Sequence, residues 1–309
     1  MSAIIFRQTI IMLMLMIVGV VCRKTGIIDH NTNRDLSKFV LQVVNPVMIF
    51  MSYQTELHAD LVRDLLLTFA ASAAAFVIMI AGVYILIRKK KGRETEIERF
   101  SAIYSNCGFM GIPLVNAMFG MKGVFYLTAF ITIFNLIVWT HGIILISGEK
   151  SMKQIVKVFY SPTIIAIVLG LITFFFEIRL PELPSKALEY ISQLNTPLAM
   201  IVSGVSMAET NIIGMIKKLG VYRVCFVKLI ILPVILSTAL SVIPLGNEVR
   251  LTVIVAASAP PAAMCTLQCL RYGKNNIYAS EIFTAGTILS VLTLPLAVSL
   301  TEFLTKTFG

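Results

Sequence analysis

Three asparagines lie beside prolines or glycines in apolar stretches: Asn45 next to Pro46, Asn195 two residues before Pro197, and Asn106 in Ser105-Asn106-Cys107-Gly108-Phe109-Met110-Gly111-Ile112-Pro113. A carboxamide in such a stretch has to find a partner. It can clamp a bent backbone or donate to the carboxylate of a bound solute. A second interrupted run, Ala257-Ser258-Ala259-Pro260-Pro261-Ala262-Ala263, offers instead a bare helix start whose free N–H groups carry partial positive charge. Together the runs predict a midplane site for a small anion between broken helices. The candidate contacts are Asn106, Gly108, Gly111, Ile112, Pro113, Asn45, Asn195, Pro260, Pro261 and Ala262, with helix breaks at Pro46, Pro113, Pro197 and Pro260. For Asn45 and Asn195 clamp and contact are both open; Asn106, seven residues before Pro113, favours the contact.

Other chemistry is poorly represented. There is no Gly-x-Ser-x-Gly elbow, HExxH or phosphate-binding loop, no paired Asp in an apolar segment, and the only histidines are His30, His58 and His141. An enzyme is therefore not expected, nor a cofactor or metal site. Ser203, Gly204 and Ser206 have no base beside them and read as small packing residues. Cys265 and Cys269 share a helix face without a His or carboxylate nearby, and the five cysteines form no disulfide framework. Lys228, His141 and Glu281 are the ionisable groups inside apolar segments; each lies near a cytoplasmic end, where long chains snorkel. The alternative is an inner gate in which Lys228 pairs with Glu281. Coupling to Na⁺ or H⁺, or none, stays open.

The elements that must position these groups are membrane helices. The 309 residues are 57% hydrophobic and 14% charged, with a mean hydropathy of +0.88. Ten spans are expected near 4–22, 37–54, 65–87, 100–119, 123–146, 160–176, 188–208, 222–243, 251–270 and 277–300. The net charge of +10 does not mark a nucleic-acid surface, because it follows alternate loops. Eighteen of the 26 basic residues, including Arg88 to Lys91 and Lys150, Lys153 and Lys157, fall after odd-numbered spans, which puts those loops in the cytoplasm and both termini outside. The first stretch lacks a basic n-region and a cleavage site and reads as a retained span.

Five spans precede the short linker at 149–160, which is expected in the cytoplasm. Residues 1–148 and 161–309 then form two repeats: Asn45 matches Asn195, 150 residues on, and Pro113 matches Pro260, 147 residues on. An odd number of spans per repeat inverts the second, and two such halves can exchange conformations about a shared site. The fold class expected is an all-α polytopic membrane protein of ten helices in two inverted five-helix repeats, with helices four and nine broken.

At Asn106 to Pro113, Ala117-Met118-Phe119-Gly120, Ala259-Pro260, Thr287 to Ser290 and Thr293-Leu294-Pro295-Leu296, the chain resembles the auxin efflux carrier family, and its short linker resembles the bacterial malonate and malate permease-like branch. The resemblance implies a secondary carrier of a small carboxylate in the cytoplasmic membrane, with Asn106 on the substrate. It further implies a scaffold of spans 1, 2, 6 and 7, often dimerising, and a moving domain of spans 3–5 and 8–10, whose broken helices four and nine cross at their breaks. Ser105 and Pro261 depart from the plant exporters, which have a proline and a polar residue there. A non-transporting sensor of a small carboxylate and a sodium-coupled organic-anion symporter are the rival readings.

Overall fold

The computed structural model describes residues 1–148 and 160–308; apart from Tyr160, the expected linker with Lys150, Lys153 and Lys157 lies outside them. The first half runs through α1 (Ser2–Lys24), α2 (His30–Phe39), α3 (Asn45–Ser52), α4 (Ala59–Leu86), α5 (Thr95–Ile103), α6 (Ile112–Ile137) and α7 (Ile143–Ser147). The second runs through α8 (Pro162–Phe175), α9 (Glu182–Gln193), α10 (Asn195–Ala208), α11 (Ile212–Ile216), α12 (Leu219–Phe226), α13 (Leu232–Ser241), α14 (Asn247–Ser258), α15 (Met264–Arg271) and α16 (Asn276–Phe308).

Among the described residues five helical segments are long and apolar enough to cross a membrane: Ser2–Lys24, Ala59–Leu86, Cys107–Ser147, Leu219–Ser241 and Asn276–Phe308. Their outward faces are apolar too: Met14, Ile17, Val77, Leu292 and Leu296 are all more than half exposed, as lipid-facing residues must be. The 41-residue segment Cys107–Ser147 takes in the expected span five and the expected span four from residue 107 on, and Gly120 divides it with φ 61° and ψ −153°. Space is not what selects glycine there, since a Cβ would meet nothing within 4 Å; the positive φ is.

Proline shapes the helices in a repeated way. Five-residue π-helical turns at Val40–Val44, Cys107–Gly111 and Val227–Ile231 each end two residues before a proline, Pro46, Pro113 and Pro233. In each, the residue before the proline donates to the first carbonyl of the turn, of Val40, Cys107 or Val227. The proline has no N–H to continue the pattern, so a wider turn replaces a kink. Pro46 is therefore not a break: helix runs from His30 to Ser52 through it. At Pro197 the interruption is Leu194, and Pro197 sits in the first turn of α10, where no N–H is required.

Small residues set the closest helix contacts. A Cβ on Gly19 would lie 2.1 Å from Ile201 O, and one on Gly204 2.0 Å from Met16 O, so α1 and α10 meet backbone to backbone. Gly170 of α8 leaves room for the Tyr53 ring, which stacks edge-on against Phe125 while its hydroxyl meets Thr128 Oγ1 at 2.6 Å. Around the remaining elements, α14 packs on α4 and α6, while α16 lies along α1, α12, α13 and α15.

Candidate functional site

Two helices stop and resume where they cross. α5 ends at Ile103 and the chain extends through Tyr104 (φ −90°, ψ 118°) before turning helical again at Cys107. α14 ends at Ser258 and helix returns at Met264. Buried backbone groups released from a helix need new partners, and here each segment supplies the other's. Asn106 N–H donates to Pro260 O at 2.7 Å, Ala262 N–H donates to Tyr104 O at 2.9 Å, and Ser105 faces Pro261 in an antiparallel bridge. Pro260 and Pro261 have no N–H, so neither leaves an orphaned donor in this buried place. Pro261 is seated against Gly286 of α16, where a Cβ would come within 2.4 Å of its ring.

The pairing relocates the first break. The interruption is at Tyr104–Asn106, not at Pro113, which stands in the first turn of α6. Ser105 opposes Pro261, an offset of 156 residues instead of the 147 that matching Pro113 to Pro260 implies. Asn106 thereby moves from upstream of the break into the crossing.

Lys228 holds the crossing together. Its side chain, 0% exposed, donates from Nζ to Ser105 Oγ at 2.7 Å, Ala257 O at 3.0 Å and Ile103 O at 3.3 Å. Ile103 and Ala257 lie in the last turns of α5 and α14, so Lys228 Nζ sits at the negative ends of two half-helices. Ser105 Oγ adds a bond to Ala257 O at 2.8 Å. The expected snorkelling of Lys228 and its gate with Glu281 are not what the fold builds: Glu281, 1% exposed, is 2.7 Å from Lys218 Nζ through each of its oxygens.

The three asparagines divide. Asn106 is 7% exposed, its carbonyl starts the π turn by accepting from Met110 and Gly111, and its Nδ2 has no acceptor among the described residues. Asn45 and Asn195 meet each other: Asn195 Nδ2 donates to Asn45 Oδ1 at 2.6 Å, and Asn45 Nδ2 donates to Gly108 O at 3.3 Å. Gly108 O is free for this because Pro113, five residues on, has no N–H to give it. Gly111 and Ile112 are buried, Gly111 against Cys107 and Ala256, and Ala262 takes part through its backbone.

Two further clusters of titratable side chains were not legible as clusters. His141 bridges the hydroxyls of Tyr104, 2.7 Å from Nδ1, and Tyr84, 3.1 Å from Nε2, and so touches a residue of the crossing. Glu98, 2% exposed, is paired with Arg93 and Arg223 and accepts from the Tyr278 hydroxyl at 3.1 Å. Glu98 precedes the expected start of span four by two residues, so a search for acids inside spans passes over it. Its signal is the neighbouring basic loop.

The whole chain has recognisable relatives. The family model described as "Membrane transport protein" matches residues 4–157 and again 149–298. An uncharacterized transporter of Methanothermobacter thermautotrophicus is 24% identical over 300 residues, 92% of this chain and 94% of that protein. An uncharacterized transporter of Methanocaldococcus jannaschii is 25% identical over 271 residues, 84% of this chain and 86% of its own length.

Proposed function

The chain belongs to the membrane transport protein family, the family its sequence resembles, and from that premise we propose that this multi-pass membrane protein is a carrier of small organic anions. The observation that carries the reading is the crossing: a buried lysine Nζ at the junction of two broken helices, beside an asparagine amide N–H with no acceptor among the described residues. A buried cation favours an anion nearby, since low dielectric strengthens their attraction. The N–H groups of Lys228 are all engaged, so it contributes charge, while Asn106 Nδ2 contributes the directional bond to a carboxylate.

The two matches of the family model and the reciprocal bonds at the crossing support two related halves working by alternating access. In this reading α1, α2, α3, α8, α9 and α10 form the scaffold, through which two copies can pair, and the crossing helices move with α4, α7, α12, α13 and α16. The basic loops face the cytoplasm and the termini lie outside the cytoplasmic membrane. Lys228 occupies a place where backbone carbonyls converge, which disfavours a sodium ion at that point and with it the sodium-coupled alternative.

The test is counterflow of labelled malonate, malate and lactate by purified protein in liposomes, with and without sodium and proton gradients. Exchange of at least one acid is expected, falling about tenfold or more in Asn106→Ala through loss of a hydrogen bond to a charged group. The variant should keep its melting temperature, since Nδ2 has no acceptor to lose among the described residues. Ligand binding without exchange would establish a sensor; unchanged exchange by Asn106→Ala would move the site elsewhere.

A further inference from the structure

Asn45 and Asn195 occupy corresponding places in the two halves, and the fold joins them in a chain that ends on the first break: Asn195 Nδ2 to Asn45 Oδ1, then Asn45 Nδ2 to Gly108 O. The chain has a direction. Asn195 Oδ1, on a residue 1% exposed, accepts from nothing among the described residues, although a buried acceptor without a donor is costly. Gly108 belongs to the half-helix that follows the crossing, whereas α3 and α10 belong to the other group of helices in the reading above.

We propose that this amide pair is a hydrogen-bond latch on the first half-helix, two positioning residues in place of two substrate ligands. In the conformation seen here Asn45 grips the carbonyl that Pro113 leaves free. When the half-helix moves away, the released Asn45 N–H turns to the waiting Asn195 Oδ1, and the amides close a reciprocal pair. Each state keeps two hydrogen bonds within the trio, so neither is locked, and Gly108 O passes to water in the opened site. The inference rests on the alternating-access reading.

Substitutions at position 195 separate the latch from a structural role. Asn195→Asp offers only acceptors, so it loses the bond to Asn45 Oδ1 and attracts the Asn45 N–H away from Gly108. Asn195→Leu removes the waiting acceptor and leaves Asn45 on Gly108. Spin labels on a background without the five cysteines report the balance, one pair at Ile27 and Lys274 on the expected cytoplasmic side and one at Asp60 and Leu183 on the other, all four exposed. Asn195→Asp should shift the two distance populations away from the conformation seen here by about fivefold, the worth of one ordinary hydrogen bond, and Asn195→Leu toward it by a similar factor. Asn45→Asp, which also cannot donate to Gly108, should follow Asn195→Asp; Asn195→Ala replaces the Leu variant if that one does not fold. Two populations that stay put, or that move the same way in the Asp and Leu variants at position 195, overturn the latch alone. A single population in the wild type and every variant overturns the latch and alternating access together.

Discussion

The first break carries polar side chains of its own, whereas the second is made of alanines and prolines alone. Ser105 bonds across to Ala257 O and accepts from Lys228, which also reaches Ile103 O and Ala257 O, Asn45 bonds Gly108 O just beyond the first segment, and Asn106 adds an amide N–H with no acceptor among the described residues. Opposite them stand Pro260 and Pro261, which give carbonyls, lack N–H groups and rest on Gly286. The two paired segments thus differ in kind. On the proposed reading the polar segment binds and releases the solute, while the proline pair keeps a fixed surface opposite it, since proline's φ is already set and little is left to reorganise.

The contrast can be broken in four places. Lys228→Met should do most harm, because three buried acceptors lose their donor at once; a loss of about 3 kcal/mol or more in unfolding stability is expected, with transport abolished. Near-normal melting of that variant would show that the first break does not depend on side chains. Gly286→Ala comes next, at about 1–3 kcal/mol for overpacking against the Pro261 ring, again read by thermal unfolding. Ser105→Ala should cost about 1–2 kcal/mol, the worth of its bonds to Ala257 O and Lys228. Gly108→Ala should be smallest, within about 1 kcal/mol of wild type, because its Cβ would meet only Asn45 Nδ2 at an ordinary 3.5 Å. If Gly108→Ala proves as damaging as Gly286→Ala, the division between a roomy first break and a tightly seated second one fails.

Some of this was legible in the chain and some was not. Asn106 was picked out by its place in an apolar run rich in glycine, and it does lie at the crossing. Pro113 drew attention as the breaker, but the helix stops nine residues earlier, at Tyr104, because Pro260 and Ala262 are there to take over the hydrogen bonds of the interrupted backbone. Lys228 was read as reaching for headgroups, which fits its distance from the predicted helix end. Only the carbonyls of Ile103 and Ala257, 125 and 29 residues away in sequence, make full burial affordable.

The sequence alone determined that this is a helical membrane protein, that its basic residues gather in alternate loops, and that two apolar runs are interrupted by glycine and proline. Hydropathy and charge are sums over neighbouring residues, so each segment carries them wherever it ends up. The tertiary structure decided which groups share a partner: Lys228 with both half-helix ends, Asn45 with Asn195, Glu281 with Lys218. Those choices depend on distances between segments far apart in the chain, and a buried hydrogen-bonding group takes the partner that folding brings within about 3 Å.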